Sequence, residues 1–367
     1  MILLNDFTAE PRSLRDGMLA AVSRVLESGW FVLGKEVQAF EREWAAACGV
    51  SHAVGVANGT DAIEIALRAL DIGPGDEVIT TPMSAFATVL AIIRAGATPV
   101  LADIEAETAL LSIESAERCM SAKTKAVVLV HLYGQVRNTG AWRQLCDRHG
   151  VALVEDCAQA HLARLDGKTA GTFGRVGTYS FYPTKNLGAP GDAGALITDD
   201  PHVAERAARL RNYGQSVRYC HEELGMNSRL DEVQAAILRE RLKWLERFTA
   251  RRSEVARSYV DGMTNPAVRL MAPPAERSAH VYHLFVVTCP QREAFQAYLE
   301  RRGVQSLIHY PIPVHHQAPC RQVKRDPQGL RTSESHAATC LSLPIHPQLS
   351  DGDVRAVIDA VNEFRID

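Results

Sequence analysis

The sequence predicts an α/β fold, a mostly parallel central sheet flanked by helices, and three observations predict it. From residue 52 to about residue 200, short apolar runs of strand length alternate with patterns of helical length. The stretches between the runs are long enough to cross over and return the chain parallel. The chain has 367 residues, 46% hydrophobic and 23% charged, which suits one enzyme-sized unit of two domains around a large core and excludes disorder as its main state.

Taken in order, residues 53–56, 78–81, 98–102, 125–130 and 151–155 are the expected strands, and residues 61–70, 84–95, 113–122 and 139–149 the helices between them. Gly150 sits just past the fourth helix as a C-terminal cap, and Gly73-Pro74-Gly75-Asp76 is a strong turn signal after the first. From residue 228 to about 263, Leu230, Val233, Ala236, Ile237, Leu242, Leu245 and Phe248 recur at helical spacing. This predicts one long helix or a bent pair able to bridge two domains. Beyond it come a strand (281–288), a helix (292–302), a second strand (304–309) and a closing helix (351–364), a compact α+β arrangement. The expected division is a large domain, 1–250, and a small C-terminal domain, 251–367, with residues 265–277 a Pro-rich connection.

Forty basic against 43 acidic residues leave a net charge of −3, so no global positive field exists to hold nucleic acid or an anionic membrane. The eight cysteines come no closer than 11 positions, which excludes a C-x-x-C pair and reads as buried thiols of a reducing compartment. No apolar run reaches membrane-spanning length, and the first ten residues lack a basic flank before an apolar stretch. The expected location is the cytoplasm.

The chemistry concentrates in residues 151–194. An apolar strand ends in Glu155-Asp156, where an open α/β sheet places its ligands. Taken alone, Asp156 reads as the cap of a following helix. It is not alone, because 29 residues further on stands Lys185, flanked by small and apolar residues in Ser180-Phe181-Tyr182-Pro183-Thr184-Lys185. A desolvated lysine has a lowered pKa and can bond covalently to a carbonyl carbon.

That pairing resembles the fold-type I enzymes dependent on pyridoxal 5′-phosphate, and the chain as a whole resembles the DegT/DnrJ/EryC1/StrS family of nucleotide-sugar aminotransferases. The resemblance runs from Gly34 with Phe40-Glu41, through Asn58-Gly59-Thr60-Asp61-Ala62, Glu155-Asp156-Cys157-Ala158-Gln159-Ala160-His161, Ser180-Phe181 and Lys185, to Asn227-Ser228-Arg229-Leu230-Asp231. It implies that Lys185 holds the cofactor covalently and then serves as the base that shuttles a proton, and that Asp156 pairs with the pyridine nitrogen. It implies that Gln159 lies against the ring, although a plain surface glutamine also explains that residue. Gly59, Thr60 and Asp61, where a strand turns into a helix, would cradle the phosphate with backbone N–H groups and the Thr60 hydroxyl; an ordinary capped turn is the plain alternative. Ser180 matches the family's second phosphate ligand.

Asn227 matches an asparagine supplied to the phosphate by the neighbouring subunit, which implies a homodimer with shared active sites. Trp30-Phe31 resembles a segment bordering the sugar pocket, and a small hydrophobic staple explains it equally. The resemblance implies that His309 and Tyr310 belong to the small domain's approach to the nucleotide sugar, and His161, directly after the cofactor residues, reads as either a substrate ligand or a core histidine satisfied by backbone. No metal is expected, because His309, His315 and His316 have no carboxylate or cysteine at ligand spacing.

Two departures stand out. Ala85 occupies the place where many members put an aromatic that stacks on the ring, so Phe86 would have to shift to serve, and Leu162-Ala163-Arg164 stands where relatives have Gly-Ala. The implied activity is transfer of an amino group from glutamate to a nucleotide-linked keto sugar. The segment Lys185-Asn186-Leu187-Gly188-Ala189 with a later Gly191-Asp192 resembles members acting on dTDP-3-keto-6-deoxyhexoses, apart from Pro190 in place of the usual leucine. The alternatives are a dTDP- or UDP-4-keto acceptor, or a non-catalytic regulatory protein of the same fold.

Overall fold

A computed structural model describes residues 1–365. Five parallel strands appear close to where the apolar runs lie: β1 (His52–Val56), β2 (Glu77–Thr80), β3 (Thr98–Leu101), β4 (Thr124–Val130) and β5 (Ala152–Asp156). The main sheet has eight strands in the order β1, Gly194–Thr198, Val176–Ser180, β5, β4, β2, β3 and Lys324–Arg325. Only Gly194–Thr198 runs against its neighbours. The mostly parallel sheet is therefore as expected.

Helices cover both faces, which is why the strands read as continuous apolar runs. In β4, Ala126 and Val128 face the side covered by α3 (Gly59–Ala69), α4 (Phe86–Arg94) and α7 (Pro201–Leu210). Val127 and Leu129 face α5 (Ile113–Cys119) and α6 (Thr139–His149). Gly150 caps α6 at φ 63°, its N–H donating to the carbonyls of Asp147 and Cys146. The predicted turn also forms, with the Asp76 N–H donating to the Gly73 carbonyl and Gly75 at φ 95°.

Two helices precede the first strand, α1 (Arg12–Ser28) and α2 (Lys35–Cys48), and both pack on α8 (Glu232–Gly262). The long helix is one piece, not a bent pair, and its two halves belong to different cores. Ala235, Leu238 and Leu245 pack with Val37, Phe40 and Trp44, whereas Val255, Ala256 and Tyr259 pack with Phe285, Phe295 and Val357. Residue 250 thus falls inside a continuous helix.

The C-terminal region holds α9 (Arg292–Arg301), α10 (Arg331–Thr339), α11 (Asp351–Glu363) and a three-stranded sheet, Arg269–Leu270, Phe285–Thr288 and Cys340–Leu343. The expected strand at 304–309 does not form. Val304 bridges Ile2 and Leu307 bridges Ser342, so the backbone pairs alternately with two partners and no ladder builds. The strand expected from 281 begins only at Phe285, because Tyr282 adopts φ 48° after Val281 donates to the Gly134 carbonyl. Seven cysteines are buried as expected; Cys220 is exposed, on a two-stranded ribbon. No described helix is long and apolar enough to cross a membrane.

Candidate active site

Three neighbouring parallel strands end side by side, and each delivers part of the site. β4 leads into Tyr133, β5 ends in Asp156, and Val176–Ser180 ends in Ser180 and leads on to Lys185. Alternation along β5 sends adjacent acids in opposite directions. Glu155, fully buried, accepts the N–H groups of Gly171 at 2.8 Å, Phe173 at 2.7 Å and Gly174 at 2.7 Å, and the Nε2–H of His131 at 2.7 Å. It is a loop anchor. Asp156 instead accepts the Thr88 hydroxyl at 2.8 Å on one oxygen and the Ala158 N–H at 3.1 Å on the other.

Lys185 lies half-buried in the turn after Ser180, its N–H donating to the Tyr182 carbonyl. Burial lowers its ammonium pKa to about 8, while the Asp156 carboxylate pulls the other way. The N-terminus of α3 abuts Ser180, since a Cβ on Gly59 would stand 2.6 Å from the Ser180 Cβ. That close approach needs glycine.

The capped-turn alternative is also realised. Asn58 accepts the Asp61 N–H at 2.9 Å, and the Asp61 carboxylate pairs with Arg94 at 3.0 Å and takes the Asn58 amide at 3.1 Å. Asp61 thus has its N–H spent on Asn58 and its carboxylate on Arg94, which does not fit the expectation that it cradles a phosphate.

Gln159 is buried with its amide fixed: Oε1 accepts the Tyr133 N–H at 2.6 Å and Nε2 donates to the Tyr310 hydroxyl at 3.3 Å. Tyr310 therefore meets the site, and burial together with Asp156 pushes its pKa up to about 12, so it stays protonated. His309 shares a hydrogen bond with the Ser342 hydroxyl at 2.8 Å, and burial, with Lys185 nearby, lowers its pKa to about 4.

His161 is a correction. It is fully buried among Trp44, Tyr179 and Phe181, donates Nε2–H to the Ser180 carbonyl at 2.9 Å, and burial takes its pKa down to about 3. Such enclosure favours the core-histidine reading, with Nε2 satisfied by backbone and the buried Nδ1 left without a partner. Phe86 packs against Val314, Cys320 and Leu330, whereas Thr88 on the same helix reaches Asp156. Asn227 is exposed, as are Trp30 and Phe31, which form no staple.

The fold adds residues that the sequence reading missed. Tyr133 touches both Gln159 and the His309 carbonyl; Asn186 donates to the Val281 carbonyl at 3.0 Å and shares a hydrogen bond with His283 at 3.2 Å. Glu334 from α10 is brought to the histidines, accepting from His315 Nε2–H at 3.0 Å with His316 at 3.6 Å. The ligand atoms of His315, His316 and Glu334 lie within 4.8 Å of one another, and the buried Nδ1 of His315 has no partner.

The sequence profile of the DegT/DnrJ/EryC1/StrS aminotransferase family matches residues 13–362. The chain is 45% identical, over 98% of its length and 95% of the relative's, to the dTDP-3-amino-3,4,6-trideoxy-alpha-D-glucose transaminase of Streptomyces venezuelae. It is 44% identical to the dTDP-3-amino-3,6-dideoxy-alpha-D-galactopyranose transaminase of Aneurinibacillus thermoaerophilus, over 94% of each chain. Its fold superposes on the crystal structure of S. venezuelae DesV in complex with a ketimine intermediate with a TM-score of 0.95 at 44% identity, covering 100% of this chain and 99% of that one. With the family's profile and fold spanning nearly its whole length, this chain belongs to the DegT/DnrJ/EryC1/StrS aminotransferase family.

Proposed function

We propose that the protein is a pyridoxal-phosphate-dependent aminotransferase that moves an amino group from glutamate to a nucleotide-linked keto sugar, with a dTDP-3-keto-6-deoxyhexose as acceptor. The observation that carries the chemistry is a half-buried Lys185 with its pKa lowered to about 8 beside Asp156, next to the close approach of Gly59 to Ser180. These residues fit the cofactor. When bound, pyridoxal phosphate supplies a carbonyl carbon that exchanges amino groups and a ring that stores an electron pair.

The protein's own work is then binding and proton handling. Gly59, Thr60 and Ser180 would hold the phosphate, with N–H groups that the helix start leaves free. Asp156, steadied by Thr88, would keep a proton on the ring nitrogen. Lys185 Nζ, neutral over an appreciable fraction of its time, would take up and return a proton. Tyr310, which keeps its hydroxyl proton, would meet the sugar together with His309. The 3-keto acceptor is favoured by the two relatives named above, both 3-amino-sugar transaminases by description, and by the loop after Lys185.

The exposed Asn227, with exposed Trp30 and Phe31, supports a homodimer in which Asn227 serves the partner's phosphate. Mixing tests both parts. Lys185→Ala and Asn227→Ala are each expected to lose amination of a keto-sugar nucleotide by glutamate, followed by product mass and NMR, and unfolding and refolding them together should restore a fraction of it. No recovery would refute the shared site. Efficient amination of a 4-keto isomer at carbon 4, with 3-keto isomers ignored, would refute the acceptor and leave the aminotransferase standing.

A further inference from the structure

Resting on that reading, we infer that Tyr133 is a positioning residue that locks the ring-side Gln159 to the substrate-side His309-Tyr310 segment. Tyr133 is buried and sits at φ 62°, a backbone conformation that non-glycine residues adopt at a cost of order 1 kcal/mol or more unless their surroundings enforce it. The surroundings here are specific. Its N–H donates to Gln159 Oε1 at 2.6 Å, its hydroxyl donates to the His309 carbonyl at 2.7 Å, and the same oxygen takes the Nε2–H of His336 at 2.9 Å.

The contacts close a ring. From the Tyr133 N–H the path runs to the Gln159 amide, from its Nε2 to the Tyr310 hydroxyl, along the peptide to the His309 carbonyl, and back to the Tyr133 hydroxyl. Gln159 stands after β5 in the sheet domain, while His309 and Tyr310 come from the C-terminal region, so the ring ties Gln159 to Tyr310, 151 positions away. It also removes the freedom of the Gln159 amide to flip, because the reverse orientation would set N–H against N–H. Tyr310 receives a hydrogen bond from Gln159 and so keeps its own proton for a ligand.

Simple core packing explains less. Tyr133 does pack with Met83, Leu132, Leu284 and Val286, but phenylalanine would fill that space equally, and the hydroxyl is spent on the segment that carries Tyr310. The left-handed backbone aims the N–H and the hydroxyl of one residue at two groups of the site.

The test is Tyr133→Phe in the cofactor-loaded enzyme, which keeps the ring and the N–H to Gln159 and deletes only the hydroxyl. We expect kcat/KM for the keto sugar to fall about tenfold, the scale of losing a hydrogen bond to a buried group. Tyr133→Phe combined with Tyr310→Phe should lose clearly less than the product of the two single losses, because both act through one ring of contacts. The visible circular dichroism of bound pyridoxal phosphate should change in Tyr133→Phe and show the same non-additivity, a readout that requires no sugar. Wild-type turnover on keto-sugar nucleotides judges the aminotransferase reading separately. Unchanged kcat/KM with unchanged dichroism, or multiplicative losses in the double variant, would overturn the positioning role even where the melting temperature falls.

Discussion

Changing Asp156 to Asn should lower the pKa of Lys185 further, and the sign of that change is a stringent test of the site's electrostatics. Two effects oppose each other at Lys185: burial disfavours the ammonium form, and the Asp156 carboxylate favours it, with burial the larger, so the pKa moves from 10.5 to about 8. At pH 7 an amine of pKa 8 is neutral in roughly one molecule in ten, some 300-fold more than at its ordinary value. The assay is amine labelling of cofactor-free protein across pH, with peptide mass spectrometry separating Lys185 from the exposed Lys168. Labelling of Lys185 should rise with a midpoint near 8, and in Asp156→Asn the midpoint should fall below that. Linkage fixes the stability consequence. The unfolded chain holds this proton between pH 8 and 10.5 while the folded chain has released it, so stability rises with pH across that window and the cost of burying the charge is fully present below it. Lys185→Met should therefore stabilise the cofactor-free protein at pH 7, by up to about 3 kcal/mol. A midpoint near 10.5, or one that rises in Asp156→Asn, would refute the argument.

Two further outcomes concern stability. Glu155→Ala leaves three loop N–H groups and His131 without an acceptor in a fully buried place, and should cost roughly 3 kcal/mol or more in denaturant unfolding; a loss under about 1 kcal/mol would mean the loop is anchored otherwise. His161 and His336 have pKa values lowered to about 3 and about 4 by burial, so the unfolded chain gains protons near pH 6.5 that the folded chain refuses. Stability should fall as pH drops from about 6.5 toward 4, by up to about 1.4 kcal/mol per pH unit for each group, and a flat profile there would contradict their burial as neutral rings.

What the sequence revealed of the fold follows from how each element is stabilised. β4 and β5 are buried on both faces over apolar runs, Ala126–Val130 and Ala152–Val154, so they stand out in the chain. The pairing of residues 304–309 was invisible, because Val304 and Leu307 find partners at Ile2 and Ser342, and no local pattern encodes a partner 302 or 35 positions away. The strands Val176–Ser180 and Gly194–Thr198 were not expected either, and the reversal of the second could not be read locally, since strand direction depends on the connection and not on composition.

The same logic separates the legible part of the site from the rest. Asp156, Ser180 and Lys185 lie on or just after strand ends, where chain order and position in the sheet coincide, so reading along the sequence reads along the site. His161 shows where that coincidence ends. It is only five residues beyond Asp156, but the chain turns over Cys157–Ala160, with the Ala160 N–H donating to the Cys157 carbonyl, and delivers residue 161 into the aromatic core behind Ser180. Tyr133 is the converse. In sequence it is one residue of a turn after β4, and only the fold shows its N–H on Gln159 and its hydroxyl on the His309 carbonyl, 176 positions away. Residues that bond covalently or carry charge at a strand end can be found from their neighbours in sequence; residues that hold those groups in register are defined by two distant contacts at once, and that makes Tyr133, rather than His161, the fitting site for the first substitution.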